Sequence, residues 1–263
     1  MTAHTLIELR QYTLKGGRRD ELIDLFHAEF LEPQAAAGGP VLGTFRDLDD
    51  PDRFVWLRGF TGMDQRKTAL EAFYGGPAWR THRSAANDTM VDSDNVCLLR
   101  PRPGGRGVDG ALGSGRGGVF RVSLHDLRGV MPYAFGSFFD AVMKPCIKAA
   151  GGSVAAELVT EDAFNSFPKL PVREDERVFV WGVWFDNAEA EAGFSRKLSA
   201  QGGWRDDAPE AVLPALMRKP EVLRLEPAGK VEARAQENES STRRSSGSQP
   251  MRRQGLFQVR ATF

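Results

Sequence analysis

Charged and aromatic side chains alternate along two short segments of the chain, and they are the residues best suited to bind a small molecule. In the segment 53–60, strand alternation puts Trp56 and Arg58 on one face. An earlier strand aligns Arg10 and Tyr12 in the same way. A guanidinium group binds a carboxylate through paired hydrogen bonds, so these residues predict a pocket for an aromatic or carboxylate-bearing molecule. Alternatively, the charges pair with one another across an exposed strand face, and the aromatic rings pack between two sheets.

A histidine is the best candidate for acid–base chemistry. Trp79 and His82 are three residues apart and share one face of a predicted helix, with Asn87 nearby. A histidine exchanges protons near neutral pH, so His82 would suit a cofactor-independent oxygenase acting on an electron-rich aromatic molecule. The alternative is a structural His82 that packs against Trp79 or faces solvent. His27 is a weaker candidate of the same kind, and His125 is a weak candidate for an iron ligand.

Several functional classes lack the sequence patterns that they need. The 35 basic residues balance the 35 acidic ones, so no general charge attracts nucleic acid or anionic lipid. Cys97 and Cys146 have no metal-ligand spacing, which favours a reducing cytoplasm. No segment has the roughly 20 apolar residues of a membrane span, and the first residues lack a signal-peptide pattern. The acidic segment 47–52 predicts a hairpin turn with Asx hydrogen bonds rather than a calcium site. We therefore expect no metal, no cofactor and no nucleic-acid partner.

The chain contains an internal duplication. The sequence RFVWLRGF (53–60) is similar to RVFVWGVWF (177–185), and GGPAWR (75–80) is similar to AQGGWR (200–205). The tryptophans of the two pairs are separated by the same number of residues in each half. Both halves close with a short apolar segment that ends in proline. Markers that recur in the same order indicate a repeated unit rather than chance similarity.

Each copy has the predicted order β-α-β-β-α-β, which is the ferredoxin-like arrangement. Helices cover one face of such a sheet, and the other face needs a partner, either the second copy or another chain. The predicted fold class is therefore α+β, with two tandem ferredoxin-like repeats in a barrel of the dimeric α/β type. The predicted divisions are a first repeat at 5–101, a Gly/Arg-rich linker at 102–117, a second repeat at 118–227 and a disordered tail at 228–263.

The elements behind this order follow from hydrophobic periodicity. In the first copy we predict strands at 5–14, 41–47, 53–60 and 96–100, with helices at 17–35 and 63–90, the latter interrupted near Gly75–Pro77. In the second copy we predict strands at 119–125, 153–160, 177–186 and 221–226, with helices at 132–150 and 188–200 and a continuation at 208–218.

Three segments resemble the pattern of bacterial NIPSNAP proteins. They are ELRQYTLKGGRRDELIDLF (8–26), FRDLDDPDRFVWLRGF (45–60) and AFYGGPAWRTHRSAANDTM (72–90). The second half follows the pattern loosely, since it lacks the DLDDPDR turn and carries GGWRDDAPE where the first half has the WRTHR segment. The resemblance implies a dimeric α/β-barrel fold and a homo-oligomer. Related barrels include antibiotic-biosynthesis monooxygenases and haem-degrading enzymes.

The family has no shared catalytic motif, so two hypotheses stand. The first is an oligomeric barrel that binds a small molecule or a partner without catalysis. The second is a monooxygenase-like enzyme, cofactor-independent or haem-related, that acts on a small aromatic substrate near Trp56, Arg58, Trp79 and His82.

Overall fold

Antiparallel strands run around a closed barrel in the computed structural model of the chain, which describes residues 4–109, 111–112, 117–201 and 208–229. The order around the barrel is β1-β3-β2-β8-β5-β7-β6-β4. The strands are β1 (Leu6–Leu14), β2 (Val41–Asp47), β3 (Arg53–Phe60), β4 (Met90–Pro101), β5 (Val119–Asp126), β6 (Val154–Thr160), β7 (Val178–Phe185) and β8 (Glu221–Pro227).

The two repeats pair with each other within one chain. Each half contributes four strands, and the halves join where β2 pairs with β8 and β4 pairs with β6. Trp56 lies in β3, opposite Arg10 of β1, and Trp181 lies at the same position in β7, opposite Ser123 of β5. The predicted fold class, with tandem β-α-β-β-α-β units in a closed barrel, is confirmed.

Helices cover the outer face of the barrel. In the first half these are α1 (Arg19–Glu29), α2 (Leu31–Ala36), α3 (Met63–Gly75) and α4 (Pro77–Thr89). In the second half they are α5 (Pro132–Phe138), α6 (Lys144–Ala149), α7 (Ala188–Ala200) and α8 (Leu213–Leu216), with a π turn at Phe139–Met143 and a 3-10 turn at Glu210–Val212. Of the helices in the described ranges, none is long and apolar enough to span a bilayer.

Two predicted boundaries differ from the structure. The predicted helix 17–35 is divided at Phe30, the residue between α1 and α2. The strand predicted at 96–100 begins earlier, at Met90, because residues 90–95 pair with β1 although several of their side chains are exposed. The interruption predicted near Gly75–Pro77 is confirmed, since Gly76 is extended and Pro77 begins α4.

Strand alternation sorts the apolar side chains into an interior layer and an outer layer. Leu9 and Leu57 contribute to the core inside the barrel. Trp56 packs under the helices of the first half, and Trp181 packs under the helices of the second. The structure thus places the aromatic faces of β3 and β7 against helices, and the packing of these rings between two sheets, considered above, is wrong.

The segment predicted as a linker contributes to this core. Val108 and Leu112 are buried with the interior residues of the barrel. Arg102 pairs with Glu157 at 2.6 Å and with Asp140 at 2.8 Å. The glycine-rich composition of this segment predicts none of these contacts.

The predicted tail is described at its first two residues only. The backbone N–H of Ala228 donates to the carbonyl oxygen of Thr44 at 2.9 Å, which continues the pairing of β8 with β2. The rest of the predicted tail and Trp204, one of the repeat markers, lie outside the described residues.

Paired glycines end the first helical region of both halves. Gly38 has a φ of 97° and Gly151 a φ of 98°. This left-handed backbone conformation is rare for residues that carry a side chain. At Gly39 and at Gly152, a Cβ atom would lie 2.7 Å from a ring carbon of a buried phenylalanine. These positions require glycine for the same reasons in both repeats.

We expect Gly151→Ala to lower the free energy of unfolding by about 1 kcal/mol, because its positive φ is strained for alanine while no heavy atom obstructs the added methyl group. Gly75→Ala is the matched control, since Gly75 ends α3 with no obstruction and alanine favours a helix. Urea denaturation of both variants measures the difference. Equal stability of the two variants would contradict the assignment.

Candidate functional site

One buried carboxylate binds three guanidinium groups on the helix-facing side of the first half. Glu8 accepts hydrogen bonds from Nη2 of Arg58 at 2.6 Å, from Nη1 of Arg10 at 3.0 Å and from Nε of Arg66 at 2.6 Å. None of the four residues is more than 1% exposed. Three cations against one anion leave two positive charges in excess. We call these four residues the Glu8 cluster.

Glu8 is the anion that stabilises the cluster. Burial alone would raise the pKa of Glu8, but the charges of Arg58, Arg10 and Arg66 outweigh it and hold that pKa well below its ordinary value. The carboxylate is therefore ionised at neutral pH. The charges do pair with one another, as the alternative interpretation predicted. The strand face that carries them is buried under helices, so the predicted exposure of this face is wrong.

Strand register and helix phase bring the cluster together. Glu8 and Arg58 are direct partners in the pairing of β1 with β3, so their side chains leave the sheet side by side. Arg10 follows two residues later on the same face of β1. Arg66 reaches Glu8 from the first turns of α3.

Aromatic rings surround the two strand arginines. The guanidinium of Arg10 lies 5.3 Å from the ring centre of Trp56, and that of Arg58 lies 5.1 Å from it. Nε of Arg10 also donates to the Tyr12 hydroxyl at 3.2 Å. Burial raises the pKa of Tyr12 above its ordinary value, although the charge of Arg10 opposes this. Tyr12 therefore keeps its proton, which is available for donation.

A cavity of about 30 Å³ lies beside the cluster, between the sheet and the helices. Its wall is mostly apolar and aromatic, and it includes Tyr12, Gln34 and Trp56. Gln34 accepts from Nη1 of Arg58 at 2.8 Å through its Oε1. Its Nε2 and the Nε1 of Trp56 are buried with no acceptor among the described residues. Buried donors that lack acceptors, next to excess positive charge, favour a ligand with a negatively charged oxygen.

Four of the residues predicted to form the site come together in the structure. The ring of Trp56 contacts Arg10, Arg58 and Tyr12, and Arg10 also contacts Tyr12. Tyr12 and Trp56 line the cavity, whereas the two arginines lie behind these rings.

The other three predicted residues lie on α4. Trp79 lines the cavity, and its ring centre is 5.6 Å from that of Phe30. His82 is partly exposed on the outer side of Phe30, with ring centres 6.4 Å apart, and its Nε2 is 3.4 Å from Glu29. Asn87 is exposed and is not part of the wall.

Sequence reasoning did not identify Gln34 and Arg66. Both occupy apolar helical stripes, since Gln34 follows Phe26 and Phe30 at four-residue spacing, and Arg66 precedes Leu70 and aligns with it. A lone polar residue in such a stripe is the signal that indicates a buried polar contact.

In the second half, the indole N–H of the equivalent tryptophan has a hydrogen-bond acceptor inside the protein. His125 occupies the position of β5 that Tyr12 occupies in β1. Nε1 of Trp181 donates to Nε2 of His125 at 3.1 Å, so this indole N–H has an acceptor inside the protein. The corresponding N–H of Trp56 has none among the described residues.

The acidic segment 47–52 forms the predicted turn. The backbone N–H of Asp49 donates to Asp47 at 2.9 Å, and that of Asp52 donates to Asp50 at 3.0 Å. Arg53 pairs with Asp47 at 3.2 Å. Nowhere in the described part of the chain do three His, Cys, Asp or Glu side chains group as metal ligands would.

The barrel of two fused ferredoxin-like units places the chain in the dimeric α/β-barrel class of folds. Residues 7–103 match the model of the NIPSNAP family, and this part of the chain is a NIPSNAP domain. No curated protein matches the chain.

Solved structures match the chain either over most of its length or over little more than a third of it. A provisionally assigned monooxygenase from Lactobacillus acidophilus matches at 13% identity with a TM-score of 0.50, covering 86% of this chain and 95% of its own. One from Fusobacterium nucleatum matches at 9% identity with a TM-score of 0.49, covering 87% and 94%. A NIPSNAP protein of unknown function from Agrobacterium tumefaciens matches at 22% with a TM-score of 0.35, covering 37% and 88%. At such identities the similarity concerns the fold alone.

We expect Glu8→Gln to lower the free energy of unfolding by about 3–5 kcal/mol at pH 7, because three buried guanidinium groups lose their counter-ion. The native pKa of Glu8 is lowered, so its stabilising contribution is present above the unfolded value of about 4.3 and is lost as the pH falls below it. Urea denaturation between pH 7 and pH 3 should show the deficit of the variant shrinking below about pH 4.

Glu21→Gln is the control for this comparison. Glu21 pairs with Arg18 at the exposed surface, where solvent screens the pair, so its replacement should change stability little. A Glu8→Gln protein as stable as Glu21→Gln at pH 7 would show that the buried pairing is not needed.

Proposed function

We propose that the NIPSNAP domain binds a small molecule that carries a carboxylate, in the cavity beside the Glu8 cluster. One observation supports this most directly. Gln34 and Trp56, which each carry a buried donor without an acceptor among the described residues, line a cavity that adjoins two uncompensated positive charges. Burying charge without a counter-charge costs several kcal/mol, and an anionic ligand would offset that cost.

Different groups around the cavity would supply hydrogen bonds, positive charge and apolar contacts to the ligand. The carboxylate oxygens of a ligand would accept from Nε1 of Trp56, from Nε2 of Gln34 and from the Tyr12 hydroxyl. Arg10 and Arg58 stay bound to Glu8 and attract the anion through space, because a low-dielectric surrounding weakens screening. The aromatic part of the wall favours a ligand whose remainder is apolar or aromatic.

The size of the cavity limits what the observed conformation can hold. A volume of about 30 Å³ accommodates about two water molecules, or the carboxylate group alone. Binding of a whole aromatic acid therefore requires the wall to open. The helices that form this wall, α1 to α4, belong to the outer layer and are not strands of the barrel.

A monooxygenase-like enzyme that acts on the same aromatic ligand is the second candidate. The observation that favours it is the ring contact between His82 and Phe30, a wall residue, which leaves the imidazole one side chain away from the cavity. Opening of the wall would bring His82 to the ligand as a proton acceptor. The geometry favours binding over catalysis, because His82 faces Glu29 and solvent in the observed conformation.

The cellular setting stays a proposal. Both cysteines are free thiols, which suits a reducing cytoplasm.

Association into a homo-oligomer stays a prediction from the family resemblance. The chain already hides its own sheet faces by closing the barrel, so sheet burial does not by itself require a second copy.

We expect the full chain to bind benzoate, which combines a carboxylate with an aromatic ring, and Trp56→Phe to weaken Kd about tenfold because one donor to the anion is lost. Trp181→Phe, the change at the equivalent position of the second half, should leave Kd unchanged. Isothermal titration with benzoate, and with benzyl alcohol as the uncharged ligand, measures both effects. Equal affinity for the acid and the alcohol, or no binding of benzoate, would refute the proposal.

We expect His82→Ala to leave the Kd of benzoate within about twofold of the unchanged protein, because His82 lies outside the wall. If the second candidate is right, the same variant should abolish oxygen consumption with electron-rich phenolic acids while thermal unfolding is unaltered. Consumption that persists at the original rate in His82→Ala would exclude His82 as the proton acceptor.

A further inference from the structure

The loop between β6 and β7, residues 161–177, differs strongly in length from its counterpart in the first half. The equivalent connection between β2 and β3 is the short acidic turn at 48–52. The β6–β7 loop belongs to the second repeat, yet residues 165–167 contact the first repeat next to the Glu8 cluster. This long connection is therefore part of the surroundings of the first-half cavity.

Two contacts join the loop to the site. Nη1 of Arg66 donates to Oδ1 of Asn165 at 2.9 Å, while Nε of the same arginine donates to Glu8. Phe167 stacks on Tyr74, a wall residue of the cavity, with ring centres 6.0 Å apart and an angle of 21° between planes. The loop thus holds one member of the cluster and one wall residue at the same time.

The outer part of the loop is packed less tightly. A cavity of about 260 Å³ lies between its outer residues and Leu98 of β4. Phe164 is 98% exposed, although Phe167, three residues later, is buried against Leu70 and its neighbours. The backbone N–H groups of Glu161 and Arg173 donate to the carbonyl oxygens of Leu98 and Val96 of β4, at 2.9 and 2.8 Å, so both ends of the loop are fixed to the first half. Between these ends, Asn165 and Phe167 are the residues that contact the surroundings of the cavity.

We propose that the β6–β7 loop is a latch that controls access to the carboxylate-binding cavity, with Phe167 as the positioning residue. The inference rests on the proposed function, since it says what regulates that same cavity. With Phe167 stacked, Tyr74 is held at the wall and the cavity stays at the size of a carboxylate. When the loop lifts, Tyr74 is released beside Trp79, whose ring centre is 4.9 Å away, and the wall opens for the rest of the ligand.

The geometry also gives the latch a response to the ligand. Arg66 is shared between Glu8 and Asn165, so an anion in the cavity, which attracts the guanidinium groups of the cluster through space, also acts on the side chain that holds the loop. Nη2 of Arg66 is buried without an acceptor in the described part of the chain, which leaves this guanidinium a spare donor. Coupling between ligand and loop requires only that both interact with the same side chain.

Hydrogen–deuterium exchange of the full chain tests the latch without any ligand. Phe167→Ala should speed exchange about tenfold in peptides from 70–82, because the lost aromatic contact raises the population of the open wall. Exchange in β3 should stay unchanged, which separates local opening from global destabilisation. Phe167→Leu, which keeps an apolar side chain without a flat ring, should give an intermediate acceleration. Phe164→Ala is the matched control and should exchange as the unchanged protein does.

Stopped-flow mixing with benzoate supplies the second measurement. The association rate should rise several-fold in Phe167→Ala and stay unchanged in Phe164→Ala. Faster exchange in 70–82 without benzoate binding by any variant would support the opening while removing the proposed ligand. Benzoate binding at the original rate, with unaltered exchange in Phe167→Ala, would overturn the latch and leave the proposed function standing. Equal acceleration by Phe164→Ala, or acceleration in β3 as well, would also overturn it.

Discussion

The shared carboxylate of Glu8 is the interaction on which the first half depends. Three guanidinium groups could not remain buried together without it, because their mutual repulsion would be strong in a low-dielectric interior. The cluster joins β1, β3 and α3 at one point, and its arginines lie against the rings that form the cavity wall. Its charge is incompletely balanced, so the same arrangement that orders this region is also the basis of the proposed anion binding.

Much of this architecture is encoded locally and could be predicted. Alternation along β1 and β3 gave the correct faces for Arg10 and Trp56, and the tryptophan markers gave the duplication. Gln34 could not be predicted as a wall residue, because its role depends on where a helix lies over the sheet. The contact of Asn165 with Arg66 could not be predicted either, since the two residues are distant in sequence and no periodic pattern relates them.

The comparison of the halves separates what the fold needs from what the site needs. Both halves keep a central tryptophan, a left-handed glycine after the first helical region and the same strand order. The fold accounts for these shared features. The acidic turn and the Glu8 cluster occur in the first half, whereas in the second half a tryptophan–histidine hydrogen bond occupies the matching place. The NIPSNAP match likewise covers residues 7–103, the half that carries the cluster.

Fusion of the two units has a consequence for how such a barrel evolves. In a symmetric homodimer, one gene encodes both subunits, so each substitution or insertion is expressed at two places and must be tolerated at both. A single chain removes that restriction. The long β6–β7 connection contacts the surroundings of one cavity only. The matching turn at 48–52 is short, so no equivalent insertion occurs on the other side of the barrel. Covalent linkage thus lets one unit carry an insertion that contacts the other without a reciprocal contact.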